Sequence, residues 1–274
     1  MNVEADLNYK TVSTPQRIVR GAIYSLSKVI SRSHLQRQPE DSLLRLEGLA
    51  AEGYGSLIVL NHFSKGDPQR IIFTVAASPV LRDRPIIAPI GVHQYKGWNN
   101  PLYGLMGLTV YPITTTDTED YVNRHPEEKP KYQQALTRKG YAELLNGYYN
   151  HAIDTLSTGG VVILFPQGGR RSSLDNVTTA VSSLINRTNR AGVDRFAVMF
   201  MGVGMKGLEN YQDEGIRGLN MGSVYEFTPG RVLTKVELTG EARERGITVD
   251  QLTLEELKLV VPPSYLPRNQ VPTS

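Results

Sequence analysis

Two groups that could do acid/base chemistry stand five residues apart in Asn61-His62-Phe63-Ser64-Lys65-Gly66-Asp67. An imidazole beside a carboxylate can take a proton from a hydroxyl, while the carboxylate fixes its tautomer and steadies the imidazolium that forms. Across a tight turn this spacing is short enough for contact, so His62 reads as a general base and Asp67 as its orienting partner. The plainer alternative is that Asp67 only caps a helix opening at Pro68 and that His62 is an ordinary loop histidine. A second set lies in Pro166-Gln167-Gly168-Gly169-Arg170-Arg171-Ser172-Ser173. Glycines let backbone N–H groups approach an anion closely, and each guanidinium offers paired donors that match phosphate oxygens. Gly168, Gly169, Arg170 and Arg171 are therefore candidate phosphate-binding residues, with a turn carrying solvated charges as the alternative.

Both sets follow apolar runs that read as buried strands, residues 56–60 and the β-branched stretch 161–165. After the first, Ile71, Ile72 and Val75 give a helix over 68–77 its apolar face. Further strands are expected at 86–90, 108–111, 196–203, 223–227 and 232–238, and helices near 140–157 and 176–189. This alternation predicts an α/β fold with a mixed or largely parallel central sheet flanked by helices. Tyr148, Tyr149 and His151 on the 140–157 helix read as packing residues. Residues 114–130, with threonines, acids and two prolines, read as a surface loop. A short helix capped by Thr248 with Gln251, or Thr253 with Glu256, precedes a loose proline-rich tail over 262–274. The expected division is an N-terminal basic helical segment over 1–45, a catalytic α/β domain over 46–245, and a C-terminal helix and tail over 246–274.

The 274 residues include no cysteine, which excludes a thiolate nucleophile, a cysteine zinc site and disulfides. No run approaches the ~18 apolar residues of a membrane span, and residues 1–10 lack the core of a signal peptide. Charge is mild overall, +3, but residues 7–39 hold Lys10, Arg17, Arg20, Lys28, Arg32 and Arg37 and no acid. Among them Ile18, Ala22, Ile23, Leu26, Val29 and Ile30 recur at helical spacing, so a basic amphipathic helix is expected from Thr14-Pro15 onward. Over residues 15–37 it could lie on an anionic lipid surface or dock its apolar face on the domain. Nucleic acid fits poorly, because aromatic stacking residues are nearly absent from this helix.

The two motifs together resemble the glycerolipid acyltransferase superfamily, whose first block is Asn-His-x4-Asp and whose third is usually Phe-Pro-Glu-Gly-Thr-Arg-Ser. Here the blocks are residues 61–67 and 165–172, about a hundred residues apart and in the family's order. Gln167 stands where glutamate is usual, and Gly168-Gly169-Arg170 is similar to the version in soluble plastid-type glycerol-3-phosphate acyltransferases. The second block, residues 107–113, lacks the family's basic ligand; Arg124, Arg138 or Lys139 could replace it. The fourth, 196–203, lacks the usual proline. The resemblance covers about residues 55–205. It implies acyl transfer from acyl-carrier protein or acyl-coenzyme A to a hydroxyl of glycerol-3-phosphate, with catalytic His62 and Asp67, no cofactor, and a cytoplasmic or stromal-like protein peripheral to membranes at most. A lysophosphatidate is the alternative acceptor, and a non-catalytic lipid-surface module the further alternative. Lys65 could touch donor or phosphate. Residues 202–207, with the glycine spacing of a dinucleotide-binding turn and Glu226 about twenty residues on, offer a nicotinamide reading, although no apolar helix stripe follows. A serine hydrolase is disfavoured because no Gly-x-Ser-x-Gly exists.

Overall fold

The middle strands of a parallel sheet are buried on both faces, which favours apolar residues along their length. The two apolar runs that precede the motifs follow this rule: β2 (Gly55–Leu60) and β5 (Val161–Leu164) are buried at every residue. A computed structural model of the protein describes residues 12–30, 33–35, 41–64, 67, 70, 71, 75, 78–95, 103, 104, 107–209, 211 and 224–267. Lys10, Arg32, Arg37, Lys65, Pro68, Ile72, residues 212–220 and the tail from 268 onward lie outside them.

The other strands are β1 (Ser33–Leu35), β3 (Ile86–Gly91), β4 (Leu108–Ile113), β6 (Phe196–Met205) and β7 (Tyr225–Thr234). They form a seven-stranded sheet in the order β1-β7-β6-β2-β5-β3-β4. All pairs are parallel except β6 with β7. The helices are α1 (Thr14–Ile30), α2 (Asp41–Ala51), α3 (Thr116–Arg124), α4 (Lys129–Tyr132), α5 (Arg138–Ser157), α6 (Ala180–Arg190), α7 (Lys235–Glu244) and α8 (Val249–Val260). The α/β architecture with a mixed, mostly parallel sheet is as expected. α5 packs on β2 to β5, while α2 and α8 both cover β6 and β7. Of the expected 68–77 helix, Ile71 and Val75 are helical and buried. Tyr148 is buried with its hydroxyl on the Ile163 carbonyl, while His151 is exposed beside Tyr111.

Four expectations need correction. The segment 114–130 is not a loop: Thr115 and Thr118 form a reciprocal cap that starts α3, and a 3-10 turn leads into α4. The stretches 223–227 and 232–238 are a single strand, β7, ended at Thr234, whose capping box with Glu237 starts α7. Pro229 and Gly230 do not break β7, because the antiparallel register shifts opposite them between Met199 and Met201. The glycines at 202 and 204 lie inside β6 and open no helix, which removes the dinucleotide reading. A side-chain carbon at Gly202 would stand 1.9 Å from the Val260 carbonyl, and one at Gly204 2.5 Å from Pro262. These glycines make room for the end of α8. At that helix's start it is Thr248 and Gln251 that form the cap. The tail, finally, is not loose at its beginning. A 3-10 turn at Pro263–Tyr265 buries Tyr265 completely.

The N-terminal helix is present but faces the domain differently from its expected pattern. Ile18 is 68% exposed, whereas Arg20 is buried and donates to the carbonyls of Arg82, Arg84 and Gly107. Three carbonyl acceptors meet the cost of burying a guanidinium, so a charged side chain occupies a docking position.

Candidate active site

Strand register decides which loops meet. β2 pairs with β5 such that Val59 lies opposite Leu164, so both motif loops leave the same edge of the sheet side by side. The His62 and Phe165 rings consequently stack obliquely with centroids 4.5 Å apart. Carboxyl ends of parallel strands are where open α/β sheets place their ligand crevices.

Each residue of the first loop has a structural task. Asn61, fully buried, donates from Nδ2 to the Val203 carbonyl at 2.9 Å and accepts from the Val203 N–H at 2.7 Å. It thereby extends the β2–β6 pairing by side-chain amide. Asp67 is itself helical, not the residue preceding a helix, and its carboxylate reaches back over the turn. Oδ2 accepts from His62 Nδ1 at 3.0 Å and from the N–H groups of Phe63 and Ser64 at 2.8 and 2.9 Å; Oδ1 accepts from Ser64 Oγ at 2.8 Å. A carboxylate only accepts, so Nδ1 carries the proton and Nε2 holds the lone pair. Nε2 has no protein partner among the described residues. Arg70 is stacked on the Tyr225 ring with its charge acting on Asp67.

Gln167 uses both ends of its amide. Its Oε1 accepts from the His62 N–H at 2.9 Å and the Tyr265 hydroxyl at 3.2 Å, while Nε2 donates to the Ser173 carbonyl at 3.0 Å. A carboxylate could not donate to Ser173. Gln167→Glu is therefore expected to lower the unfolding free energy by about 3 kcal/mol at neutral pH, from one buried acceptor facing another. The glutamate's folded pKa would rise above its unfolded value. The deficit should accordingly narrow as pH falls, because the protonated acid can donate. Urea unfolding at two pH values measures both. The carbonyls of Arg171 and His62 also stand 3.0 and 3.3 Å from the Tyr265 hydroxyl and share its one proton with Gln167, so the C-terminal turn ties the two motif loops together.

The four candidate phosphate residues separate into two groups. Gly168, with φ +72°, and Gly169 line an open cleft of about 530 Å3 together with His62, Gln94, Thr115, Asp117 and apolar residues including Ile90 and Phe165. A side-chain carbon at Gly169 would stand 2.4 Å from Thr116 Oγ1, so glycine is needed there. Arg170 packs behind the glycines: its backbone N–H and Nε both donate to Asp117 Oδ2, at 3.1 and 3.0 Å. Arg171 is exposed and contributes its backbone N–H to the His62 carbonyl at 2.8 Å. Arg124, Arg138 and Lys139 are exposed, and no lysine or arginine is among the described residues lining the cleft.

Asp117, Tyr265 and Tyr225 were not singled out by the sequence, since nothing in their spacing connects them to either motif. Burial raises the affinity of the Asp117 carboxyl for its proton. The hydrogen bonds and charge of Arg170 outweigh this, with a smaller contribution from His62, and hold the group below its ordinary value. It is ionised at neutral pH. Among the described residues no helix is long and apolar enough to cross a membrane, and no group of three or more metal-ligating side chains is found. Compared with known proteins, the chain matches no family model and no curated protein.

Proposed function

We propose that the protein is an O-acyltransferase that moves a fatty acyl group from the thioester of acyl-carrier protein or coenzyme A to a hydroxyl of glycerol-3-phosphate or a related phosphorylated acceptor. The observation that carries this reading is the His62–Asp67 pair: a fully buried carboxylate on Nδ1, and an Nε2 with no partner among the described residues, on a residue lining a cleft at the carboxyl ends of the strands. Nε2 takes the acceptor hydroxyl's proton as its oxygen bonds to the thioester carbonyl carbon. The tetrahedral intermediate then expels the thiolate, which recovers the proton from the imidazolium, leaving ester, free thiol and neutral His62. No acyl-enzyme is needed. Charge on the thioester oxygen requires a donor, and the Gly169 N–H, which makes no hydrogen bond among the described residues, lines the same cleft. Arg170 is the cation beside the glycines, oriented by Asp117; it does not line the cleft among the described residues and would act on the acceptor's phosphate from behind the glycine turn.

Lysophosphatidate as acceptor is the second reading, favoured by the apolar share of the cleft lining, Ile90, Ile113 and Phe165. Peripheral contact with a membrane fits the exposed Ile18 and Arg17 on α1.

The test is release of free thiol from long-chain acyl-coenzyme A and acyl-carrier protein, each with glycerol-3-phosphate, with lysophosphatidate, and with neither. Release that depends on one acceptor is expected. Acceptor-independent release would indicate a thioesterase. Silence from folded protein with every pair would overturn the enzyme reading and favour a lipid-surface module.

A further inference from the structure

Asp117 presents an oxygen without a partner among the described residues. It lies in the first turn of α3, directly after β4, and its side chain is 14% exposed. Oδ2 is engaged by the N–H and Nε of Arg170, but Oδ1 accepts no hydrogen bond among the described residues. The residue lines the cleft that also contains His62. Two donors on Oδ2 fix the carboxylate plane, so the direction in which Oδ1 accepts is set before any ligand arrives. Gly169 makes the approach possible, since a side-chain carbon there would lie 3.5 Å from Oδ2 and collide with Thr116.

We infer that Asp117 is a specificity-determining residue whose Oδ1 accepts a hydrogen bond from a second hydroxyl of the acceptor, so that the cleft selects a diol monophosphate over an acceptor whose second hydroxyl is esterified. A carboxylate that only accepts must be matched by a donor on the ligand. The attacking hydroxyl gives its proton to His62 and cannot be that donor. Glycerol-3-phosphate carries a second hydroxyl on the neighbouring carbon. In a lysophosphatidate that position is an ester oxygen, which would set acceptor against acceptor and leave Oδ1 desolvated and unpaired, the case in which discrimination is strongest. The pairing with Arg170 offsets the carboxylate's charge and so limits its repulsion of the acceptor's phosphate. This inference rests on the acyl-transfer reading for the role of the first hydroxyl, but not for the binding of the second.

The test measures binding without donor. Glycerol-3-phosphate and 3-hydroxypropyl phosphate, which lacks the second hydroxyl, are titrated by calorimetry into wild-type protein and Asp117→Ala. Alanine removes the acceptor and puts no other polar group in its place, whereas an asparagine NH2 would still donate to the hydroxyl oxygen. Wild type should bind the diol about ten- to a hundredfold more tightly, the usual range for a hydrogen bond to a charged group. The variant should lose the preference to within about threefold. Equal binding of both ligands by wild type, retention of the preference in Asp117→Ala, or binding of neither would each overturn the assignment. A purely structural role for Asp117 would weaken both ligands together and leave the preference intact. If the preference appears while no thioester is cleaved, the reaction fails and the diol site stands.

Discussion

His62→Ala is expected to lower the turnover number about 10²- to 10⁴-fold with acceptor and donor saturating, the range that a positioned general base contributes. The geometry makes this loss specific to chemistry. His62 Nε2 is a basic nitrogen at the cleft with no partner among the described residues, and Asp67 holds its other nitrogen as a donor. Folding should survive, because Asp67 keeps three other donors, from Phe63, Ser64 N–H and Ser64 Oγ, when the imidazole is removed. What is lost structurally is one hydrogen bond and the oblique contact with Phe165, worth about 1 kcal/mol. Acceptor KM should move little, since the imidazole interacts with the reacting proton more than with the bound acceptor. Acceptor-dependent thiol release together with urea unfolding measures both quantities. Turnover within threefold of wild type from a folded variant would remove His62 as the base.

The sequence showed the centre of the fold because parallel central strands must be apolar on both faces. β2 from Leu57 onward and β5 throughout are uninterrupted apolar runs, and each stops where a motif begins. Their adjacency in the sheet brings His62, held from behind by the buried Asp67, to one cleft with Gly168 and Gly169. Other features were hidden for identifiable reasons. A Pro-Gly pair normally ends a strand, but in β7 an irregular register absorbs it. The glycine spacing at 202–207 suits a turn, and only the close passage of α8 shows why glycines sit inside a strand. Arg20 was legible only as one of the basic residues of an amphipathic helix, whereas three backbone carbonyls 62, 64 and 87 residues away receive it. Asp117 and Tyr265 come from stretches whose composition reads as loop and tail. Their contacts with Arg170 and Gln167 span 53 and 98 residues, a separation that no local pattern encodes. Arg170 illustrates the converse: its type and position were legible, yet its carboxylate partner sets its orientation and was not.

Asp67→Ala should have the largest effect on stability, a loss of about 4 kcal/mol in unfolding free energy, because four donors converge on a carboxylate with no exposed surface. Two of them are buried backbone N–H groups at a strand end. Each costs about 1–3 kcal/mol when left without an acceptor, and the charge of Arg70 would lose a neighbouring counter-charge besides. A helix cap alone would account for only about 1 kcal/mol. Asp67→Asn separates the two duties of this residue. The amide oxygen can still take the Phe63 and Ser64 N–H groups, so most of the stability should return. The imidazolium would nevertheless face a neutral partner, and turnover should stay at least about a hundredfold below wild type. Urea unfolding and thiol release on both variants give the comparison. An alanine variant within about 1 kcal/mol of wild type would show that water or a rearranged turn replaces the carboxylate. Asp67 would then be a catalytic partner only, and not also the keystone of the strand end that carries His62.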